Sequence, residues 1–361
     1  MPLAPAGSML SAMEGRRRER LADAARLGDE VNTWLFSGVL FHPGGAIAAW
    51  RNHATGTLAY EYPEATGYFL TTAVFTKEAD HPLAHAAADY VASRVERGIQ
   101  YSRPLDSQTI YNFDAAIMAV GLLNIGTALD CERYLAAGIR LAERLRDQVL
   151  QHGYLPPIDP RSRPPRRAIT WSTVGRLHLL KAVQALCLGS ELGIVAAGEA
   201  AAALAGDGLR RCALDSHDLR SATGGSNLHA ACYMLEGLWL WHQVSGTADS
   251  QRLLYSLFDE VLRFQLPTGG FPGEVGTSPQ PEQSDVGAQI VRLASVLGRK
   301  EQVEGALARL CASTLPTGHG RAVPYGPDAF DLHEASWASM FAVQAIALAT
   351  RDEPLDWRHL I

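Results

Sequence analysis

Two kinds of helical segment alternate along this chain. In the first kind, small and apolar residues recur at helical spacing nearly all round the helix, and a polar or aromatic cluster opens the segment. Segments of this kind are Thr66–Phe75, Phe113–Gly126, Thr170–Leu186, Asn227–Trp241, Ser284–Leu297 and Ala335–Ala349. Their starts recur at roughly 50 residues, which lies within the range of periods found in solenoids and closed toroids.

The second kind of segment is amphipathic, with its charges on one face, as in DCERYLAAGIRLAERLRDQVL. Segments of this kind are His81–Gly98, Asp130–Leu150, Ser190–Leu204, Thr247–Leu266, Lys300–Ser313 and, near the start of the chain, Met13–Phe36. Helices that are apolar all round belong in an interior, and one-faced helices cover them. Loops rich in glycine and proline separate the segments, and alternating β-type runs are nearly absent.

This pattern predicts an all-α protein, an (α/α)6 barrel or six-hairpin toroid, as a single domain over residues 1–361. Residues 1–12 are expected to be a flexible N-terminal segment, and strands are expected only in short loop hairpins. An open stacked solenoid would show the same periodicity. Closure is favoured because the starts of the inner helices share aromatic and ionisable residues, which indicates one common mouth.

Composition narrows the function classes. Hydrophobic residues make up 47% of the chain and charged residues 19%, with a net charge of -6. A chain with this charge balance does not attract nucleic acid or an anionic membrane electrostatically, so neither is expected as a partner. The start of the chain lacks the order of a signal peptide, and no window is apolar enough to span a membrane. A cytoplasmic location is therefore expected.

The five cysteines are odd in number and far apart, without a CxxC pair, which is typical of small buried hydrophobes in a reducing compartment. His229 and Cys232 have a spacing that could ligate a metal, but no third ligand accompanies them. We therefore expect neither a metal nor another cofactor.

Residues able to do chemistry cluster where the inner helices begin. The candidates are Glu61, Glu64, Tyr68, Tyr111, Asp114, Trp171, His229, Asp285, His333, Glu334 and Trp337. Capping explains part of this pattern, because side-chain oxygens and acids satisfy or complement the free N–H groups of a first helical turn. Capping does not require tyrosine, tryptophan and histidine at the same places. If the inner helices run parallel, their starts converge on one rim that can bind a polar ligand.

The order of motifs resembles that of certain bacterial α/α-toroid proteins associated with sugar and polysaccharide pathways. It runs from YPEATGY through FDAAIMAVGLL, NLHAACYMLEGLW and SDVGAQIVRL to EASWASMFAVQAI, over about 300 residues. These proteins carry a Tyr-Pro-Glu-x-Thr-Gly-Tyr motif and are similar to six-hairpin glycosidases and to the toroids of squalene cyclases. The resemblance implies carboxylates, histidine and tyrosine at the mouth of the inner helices, at Glu64, Tyr68, Asp114 and His229. The Asp-x-Asp-Asp motif of squalene-type cyclases is absent.

The leading hypothesis is a metal-independent carbohydrate-active enzyme that acts on a sugar or a glycosylated small molecule. Glu64 and Asp114 would be the acid–base pair, because cleavage of a glycosidic bond characteristically uses two carboxylates. Tyr68 and His229 would assist proton transfer. The remaining candidates would contact the substrate: Glu61, Tyr111, Trp171, Asp285, His333, Glu334 and Trp337.

Several alternatives stay open. A hydrolase, a lyase and an epimerase all fit these residues. A cyclase or tailoring enzyme of a natural-product pathway and a non-catalytic glycan-binding or scaffold protein would use the same toroid. The oligomeric state is undetermined.

Overall fold

The computed structural model describes residues 6–98, 108–164, 170–329 and 332–361, with side chains from residue 14 onward. More than half of this part of the chain is helical. In chain order the helices are α1 (Ala6–Leu35), α2 (Pro63–Phe75), α3 (Pro82–Glu96), α4 (Asn112–Ala128), α5 (Glu132–His152), α6 (Trp171–Val174), α7 (Val183–Glu191), α8 (Ala197–Arg211), α9 (Leu228–Ser245), α10 (Ala248–Leu262), α11 (Ser284–Val296), α12 (Glu304–Ala312) and α13 (Ser336–Thr350).

Six of these helices form an inner ring. Helices α2, α4, α7, α9, α11 and α13 each pack against the next, and α13 returns to pack against α2. The longer helices of the outer ring, such as α5 and α10, bury one face only, whereas α4 and α13 are buried nearly throughout. The predicted (α/α)6 toroid is confirmed, and the closed ring excludes an open solenoid.

Strands are few and short in the described residues. They are β1 (Trp50–Asn52), β2 (Ser226–Asn227), β3 (Glu274–Val275), β4 (Leu315–Thr317), β5 (Gly320–Ala322) and β6 (His333–Ala335). Only β4 and β5 form a local hairpin. Strand β1 pairs antiparallel with β6 from the other end of the chain, and β2 pairs with β3. The expectation that strands occur only in hairpins is wrong, because the β1–β6 pair helps to close the ring.

The third inner segment also differs from the prediction of one helix over Thr170–Leu186. Helix α6 ends at Val174, before Gly175, whose backbone is extended, and a 3₁₀ helix over Leu177–Ala182 precedes α7. A Cβ atom on Gly175 would lie 2.0 Å from the carbonyl oxygen of Asp218, so the adjoining loop passes directly over this break. The periodicity of apolar residues does not record such a contact.

The outer helix α8 begins at Ala197, later than the predicted segment Ser190–Leu204. Gly193 and Ala196 both have positive φ angles, which end one helix and delay the next. At the start of the chain, residues 1–5 of the predicted flexible segment lie outside the described residues, and residues 6–12 belong to α1. None of the helices in the described ranges is long and apolar enough to cross a membrane.

Two glycines set the spacing between α2 and α4. A Cβ atom on Gly121 would lie 2.4 Å from the carbonyl oxygen of Gly67, and one on Gly67 would lie 2.9 Å from that of Ile117. Real side chains do not tolerate such distances, so only glycine allows these backbones to touch. The contact holds the starts of α2 and α4 next to each other at the mouth of the barrel.

Residues 358–361, which we call the tail, close the end of the barrel opposite the mouth. Side-chain amides on three inner helices donate hydrogen bonds to its backbone carbonyls: Asn124 to Arg358, Gln184 to Leu360, and Gln344 to His359. Leu360 and Ile361 are buried. The side-chain N–H groups at this end of the three helices are therefore satisfied by backbone carbonyls, which stabilises the closed end.

A buried ionic cluster lies between this tail and the mouth; we call Lys181, Glu236 and Arg292 the hub. All three side chains are fully buried. Lys181 donates to Glu236 at 2.5 Å, and Arg292 donates to the other carboxylate oxygen. Burial alone raises the pKa of Glu236, but Arg292 and Lys181 hold it below the usual range; burial lowers the pKa of Lys181 to about 8. Glu236 is thus an ionised acceptor, matched by two cations.

Candidate active site

A cavity of about 470 Å³ opens where the inner helices begin. Its walls come from the starts of α2, α4, α6, α9, α11 and α13, together with loops before α2 and α13. The lining residues are Trp50, Tyr60, Tyr62, Glu64, Tyr111, Phe113, Asp114, Trp171, Ser172, His178, His229, Tyr233, Asp285, Tyr325, His333 and Trp337. A cavity of this size suits a small molecule of one or two sugar rings.

Three carboxylates reach the cavity from different helices. Glu64, Asp114 and Asp285 lie in the first turns of α2, α4 and α11, where the helix dipole favours a negative charge. Their exposed fractions are 8%, 5% and 1%. The hydroxyl of Tyr62 donates a hydrogen bond to Glu64. The cavity therefore holds largely desolvated acids from three separate inner helices.

Aromatic rings form one wall of the cavity. Trp50 stacks on His333 with a centroid distance of 5.2 Å and an interplanar angle of 19°, and Tyr325 makes a T-shaped contact with Trp337. Both stacked rings come from the paired strands β1 and β6, so closure of the ring also builds this wall. Trp171 reaches the cavity from α6. Flat apolar surfaces of this kind pack against the faces of sugar rings.

His178 adds a neutral polar ring to the cavity. It is buried between Phe113 and Trp171, with centroid distances of 5.4 and 5.0 Å. Burial and the nearby His229 lower its pKa to about 3, so it is neutral near pH 7. Its buried Nδ1 atom has no hydrogen-bond partner among the described residues. The ring therefore serves the cavity as an uncharged group.

His229 is held from behind by helix α11. Its Nδ1 atom lies 2.7 Å from Oε1 of Gln289 and 3.5 Å from Oδ2 of Asp285. The indole N–H of Trp337 also donates to Asp285, at 3.0 Å. Helices α9, α11 and α13 thus meet around the carboxylate of Asp285 at the mouth.

The cavity contains most of the residues predicted from the sequence. Those that line it are Glu64, Tyr111, Asp114, Trp171, His229, Asp285, His333 and Trp337. Their parallel placement at the inner-helix starts is what brings them together. This placement alone does not assign their roles.

Three predicted residues lie outside the lining. Tyr68 is buried below it, where burial and then Glu64 raise the pKa of its hydroxyl well above the usual value. Glu61 accepts a hydrogen bond from Tyr90 at 3.0 Å. Glu334 is fully buried and pairs with Arg51 at 2.9 Å and with His53 at 2.8 Å. Arg51 belongs to β1, so its pair with Glu334 fastens strand β1 to β6, and His53 is a second structural partner of the carboxylate.

Other lining residues escaped the sequence analysis as site residues. They are Trp50, Tyr60, Tyr62, Phe113, Ser172, His178, Tyr233 and Tyr325. Trp50 comes from strand β1, and Tyr60 and Tyr325 come from loops, all of which lie outside the helical period. Tyr62 lies two residues before Glu64 in the YPEATGY motif, and this position could have identified it as a cavity residue. Tyr233 and His178 lie within apolar segments, where a core position is the simpler interpretation.

Metal binding has no candidate cluster in the described part of the chain. No group of three or more histidine, cysteine, aspartate or glutamate side chains there has the geometry to hold an ion. All five cysteines are unpaired.

Comparison with known proteins gives a fold. No family model and no curated protein matches the chain. Among solved structures, an unsaturated glucuronyl hydrolase from Streptococcus agalactiae matches with a TM-score of 0.70 and 12% identity, over 93% of this chain and 94% of that one. The unsaturated glucuronyl hydrolase of Bacillus sp. GL1, responsible for the degradation of glycosaminoglycan, matches with a TM-score of 0.68 and 14% identity, over 91% and 96%.

A third similar structure is described as a novel alpha-amylase from Clostridium perfringens. It matches with a TM-score of 0.61 and 13% identity, over 89% of this chain and 97% of that one. At such identities the likeness is one of fold. It confirms the six-hairpin toroid fold that the resemblance implied.

Proposed function

We propose that this protein is a carbohydrate-active enzyme that cleaves a glycosidic bond in the cavity at the mouth of the barrel. The observation that carries the proposal is the presence of Glu64 and Asp114 in the same cavity. They start adjacent helices whose backbones touch at Gly67 and Gly121. Glycoside hydrolysis uses two carboxylates, one to protonate the leaving oxygen and one to activate water or attack the sugar.

The remaining cavity residues suit a sugar ring. In the proposal, Trp171 and Trp337 pack against its apolar faces, and Tyr111 and His333 bind its hydroxyl groups. His229 assists proton transfer. Tyr68 supports the floor of the cavity and has no role in proton transfer in the proposal, because burial and Glu64 raise the pKa of its hydroxyl well above the usual value.

The similar solved structures support a hydrolase over the other reactions. Two are named unsaturated glucuronyl hydrolases and one an alpha-amylase, which all act on glycosides. We extend this reaction class to the present chain because its fold and its pair of cavity carboxylates agree with it. Lyase, epimerase and cyclase activities have no comparable support.

The direct test is turnover of a panel of defined oligosaccharides. The panel contains unsaturated uronyl disaccharides, whose conjugated double bond absorbs ultraviolet light, and saturated neutral and acidic glycosides. We expect release of a sugar from at least one member, detected by mass spectrometry and by loss of ultraviolet absorbance. Binding by calorimetry without turnover on any member would contradict the enzyme and support a glycan-binding protein.

A further inference from the structure

The imidazole of His229 faces the cavity on one side and helix α11 on the other. Its Nδ1 atom is engaged with α11, and its Nε2 atom makes no hydrogen bond within the described residues. Which nitrogen carries the proton decides whether the cavity meets a hydrogen-bond donor or an acceptor. The hydrogen-bond partners of Nδ1 decide which of the two nitrogens carries the proton.

The hub orients the first of these partners. Glu236 is ionised, so its oxygens only accept hydrogen bonds. The side-chain amide of Gln289 donates from Nε2 to Glu236 at 3.3 Å. Its Oε1 atom therefore points the other way, toward His229, and Gln289 cannot turn without placing an oxygen against a carboxylate.

The amide oxygen in turn decides the tautomer of His229. It accepts only, and it lies 2.7 Å from Nδ1. Oδ2 of Asp285, one turn earlier on α11, lies 3.5 Å from the same nitrogen. Two acceptors face Nδ1, so this nitrogen carries the hydrogen, and in the neutral ring Nε2 keeps its lone pair.

We infer that Gln289 is a positioning residue that fixes His229 as the Nδ1–H tautomer and presents Nε2 to the cavity as a hydrogen-bond acceptor. The ligand that this arrangement fits is one that donates a hydroxyl group there, a sugar hydroxyl or a water molecule. Nε2 then accepts the hydrogen bond of that hydroxyl, and the carboxylate of Asp285 lies on the Nδ1 side of the ring. The catalytic consequence of this arrangement rests on the proposed function; the tautomer itself does not.

The tautomer is measured by long-range ¹H–¹⁵N correlation spectra of protein labelled with ¹⁵N-histidine. The His229 signals are identified by their absence from the spectrum of His229→Gln. We expect the Nδ1–H pattern in the wild type near neutral pH. A wild-type ring that carries its hydrogen on Nε2 overturns the inference, and this measurement requires no variant of Gln289 to fold.

The role of Gln289 is tested with Gln289→Met, which keeps the length of the side chain but removes both hydrogen bonds. We expect the spectrum of His229 to shift toward a mixture of the two tautomers, because only the longer contact to Asp285 remains. The matched control is Gln344→Met, another fully buried glutamine, which contacts Arg292 and the tail but not His229. An unchanged tautomer in Gln289→Met, or an equal shift in Gln344→Met, overturns the assignment.

Kinetics supply a second readout on any substrate found in the panel. We expect Gln289→Met to lower kcat by roughly tenfold with little change in KM, since His229, which assists proton transfer, is misoriented while the binding surface stays intact. Gln344→Met should keep the wild-type kcat. Absence of turnover in the wild type would count against the proposed function and leave the spectroscopic test unaffected.

Discussion

At the centre of the barrel Glu236 is enclosed by Lys181 and Arg292, whereas at the mouth Glu64 and Asp114 line a cavity. Both sets of acids project from inner helices, and both are at least nine-tenths buried. In the hub one carboxylate accepts hydrogen bonds from two cations, which also donate to the backbone oxygen of Ile361. At the mouth the acids lie at helix starts, where the dipole supports their charge and a ligand can reach them.

The difference separates stability from function along the same six helices. A buried charge with its partners removed destabilises the fold, because nothing replaces the lost solvation. A carboxylate at the mouth borders a cavity that a ligand can enter, so its replacement by an amide changes chemistry more than folding. The four experiments below test whether the two regions divide in this way.

The largest effect is expected in the hub. Glu236→Gln leaves Lys181 and Arg292 buried without their counter-charge, and we expect it to lower the free energy of unfolding by roughly 3–5 kcal/mol. Urea denaturation measures this change. The control is Asp249→Asn, which breaks the exposed pair with Arg252 and should cost less than about 1 kcal/mol. Equal costs for the two variants would show that the hub is not a centre of stability.

At the mouth the expected change is in turnover. Glu64→Gln and Asp114→Asn should each lower kcat by about 10²-fold or more, because each removes one half of the acid–base pair. Their free energies of unfolding should change by at most about 1 kcal/mol. Both quantities are measured on each variant.

The control for this pair is Glu61→Gln. Glu61 is a carboxylate close in sequence to Glu64, but it contacts Tyr90 and does not line the cavity. Its turnover should stay at the wild-type level. Full activity in Glu64→Gln and Asp114→Asn would remove the catalytic pair from the proposal.

The sequence predicts the mouth better than the hub. Glu64, Asp114 and Asp285 recur at the starts of periodic segments, so closure of the ring alone brings them together. The hub residues lie inside otherwise apolar segments, and nothing in the spacing of Lys181, Glu236 and Arg292 indicates that they meet. Their pairing depends on how neighbouring helices are rotated, which periodicity does not determine.

The sequence was least informative where backbone contacts decide the structure. The break at Gly175 and the pairing of Trp50 with Ala335 depend on segments distant in the chain. Trp50 and Tyr325 lie outside the helices, and their positions at the cavity depend on such long-range contacts, so the sequence did not predict them as cavity residues. By contrast, the number and order of the helix pairs follow from local apolar patterns, and these were predicted correctly.

Disturbing the contact between α2 and α4 should have a smaller effect, which includes both stability and turnover. A Cβ atom on Gly121 would meet the backbone of Gly67, so Gly121→Ala must push the helices apart. We expect a loss of roughly 1–3 kcal/mol in the free energy of unfolding and a lower kcat, since Glu64 and Asp114 start these helices. Urea denaturation and turnover measure the two changes.

A second glycine provides the matched control. Gly287 lies in the inner helix α11, and no atom within 4 Å would meet a Cβ atom there. Gly287→Ala should be neutral or stabilising by up to about 1 kcal/mol, because alanine favours the helix. A similar loss of unfolding free energy in both variants would mean that the close α2–α4 contact is not the reason for the loss in Gly121→Ala.

The smallest effect is the pH dependence contributed by His178. Burial and the neighbouring His229 lower its pKa to about 3, whereas an exposed histidine titrates near 6.5. Between these values the unfolded chain binds the proton and the folded protein does not. Stability therefore falls as the pH is lowered below about 6.5, by at most roughly 1.4 kcal/mol per pH unit from this residue.

His178→Phe removes this titration and keeps an aromatic ring between Phe113 and Trp171. We expect its free energy of unfolding, measured by urea denaturation at pH 7, 6 and 5, to decline less steeply than that of the wild type. The exposed His319 in the β4–β5 turn gives the control, since His319→Phe should follow the wild-type curve. Parallel curves for His178→Phe and the wild type would show that His178 takes up a proton in the folded state, which would make it a charged group of the cavity.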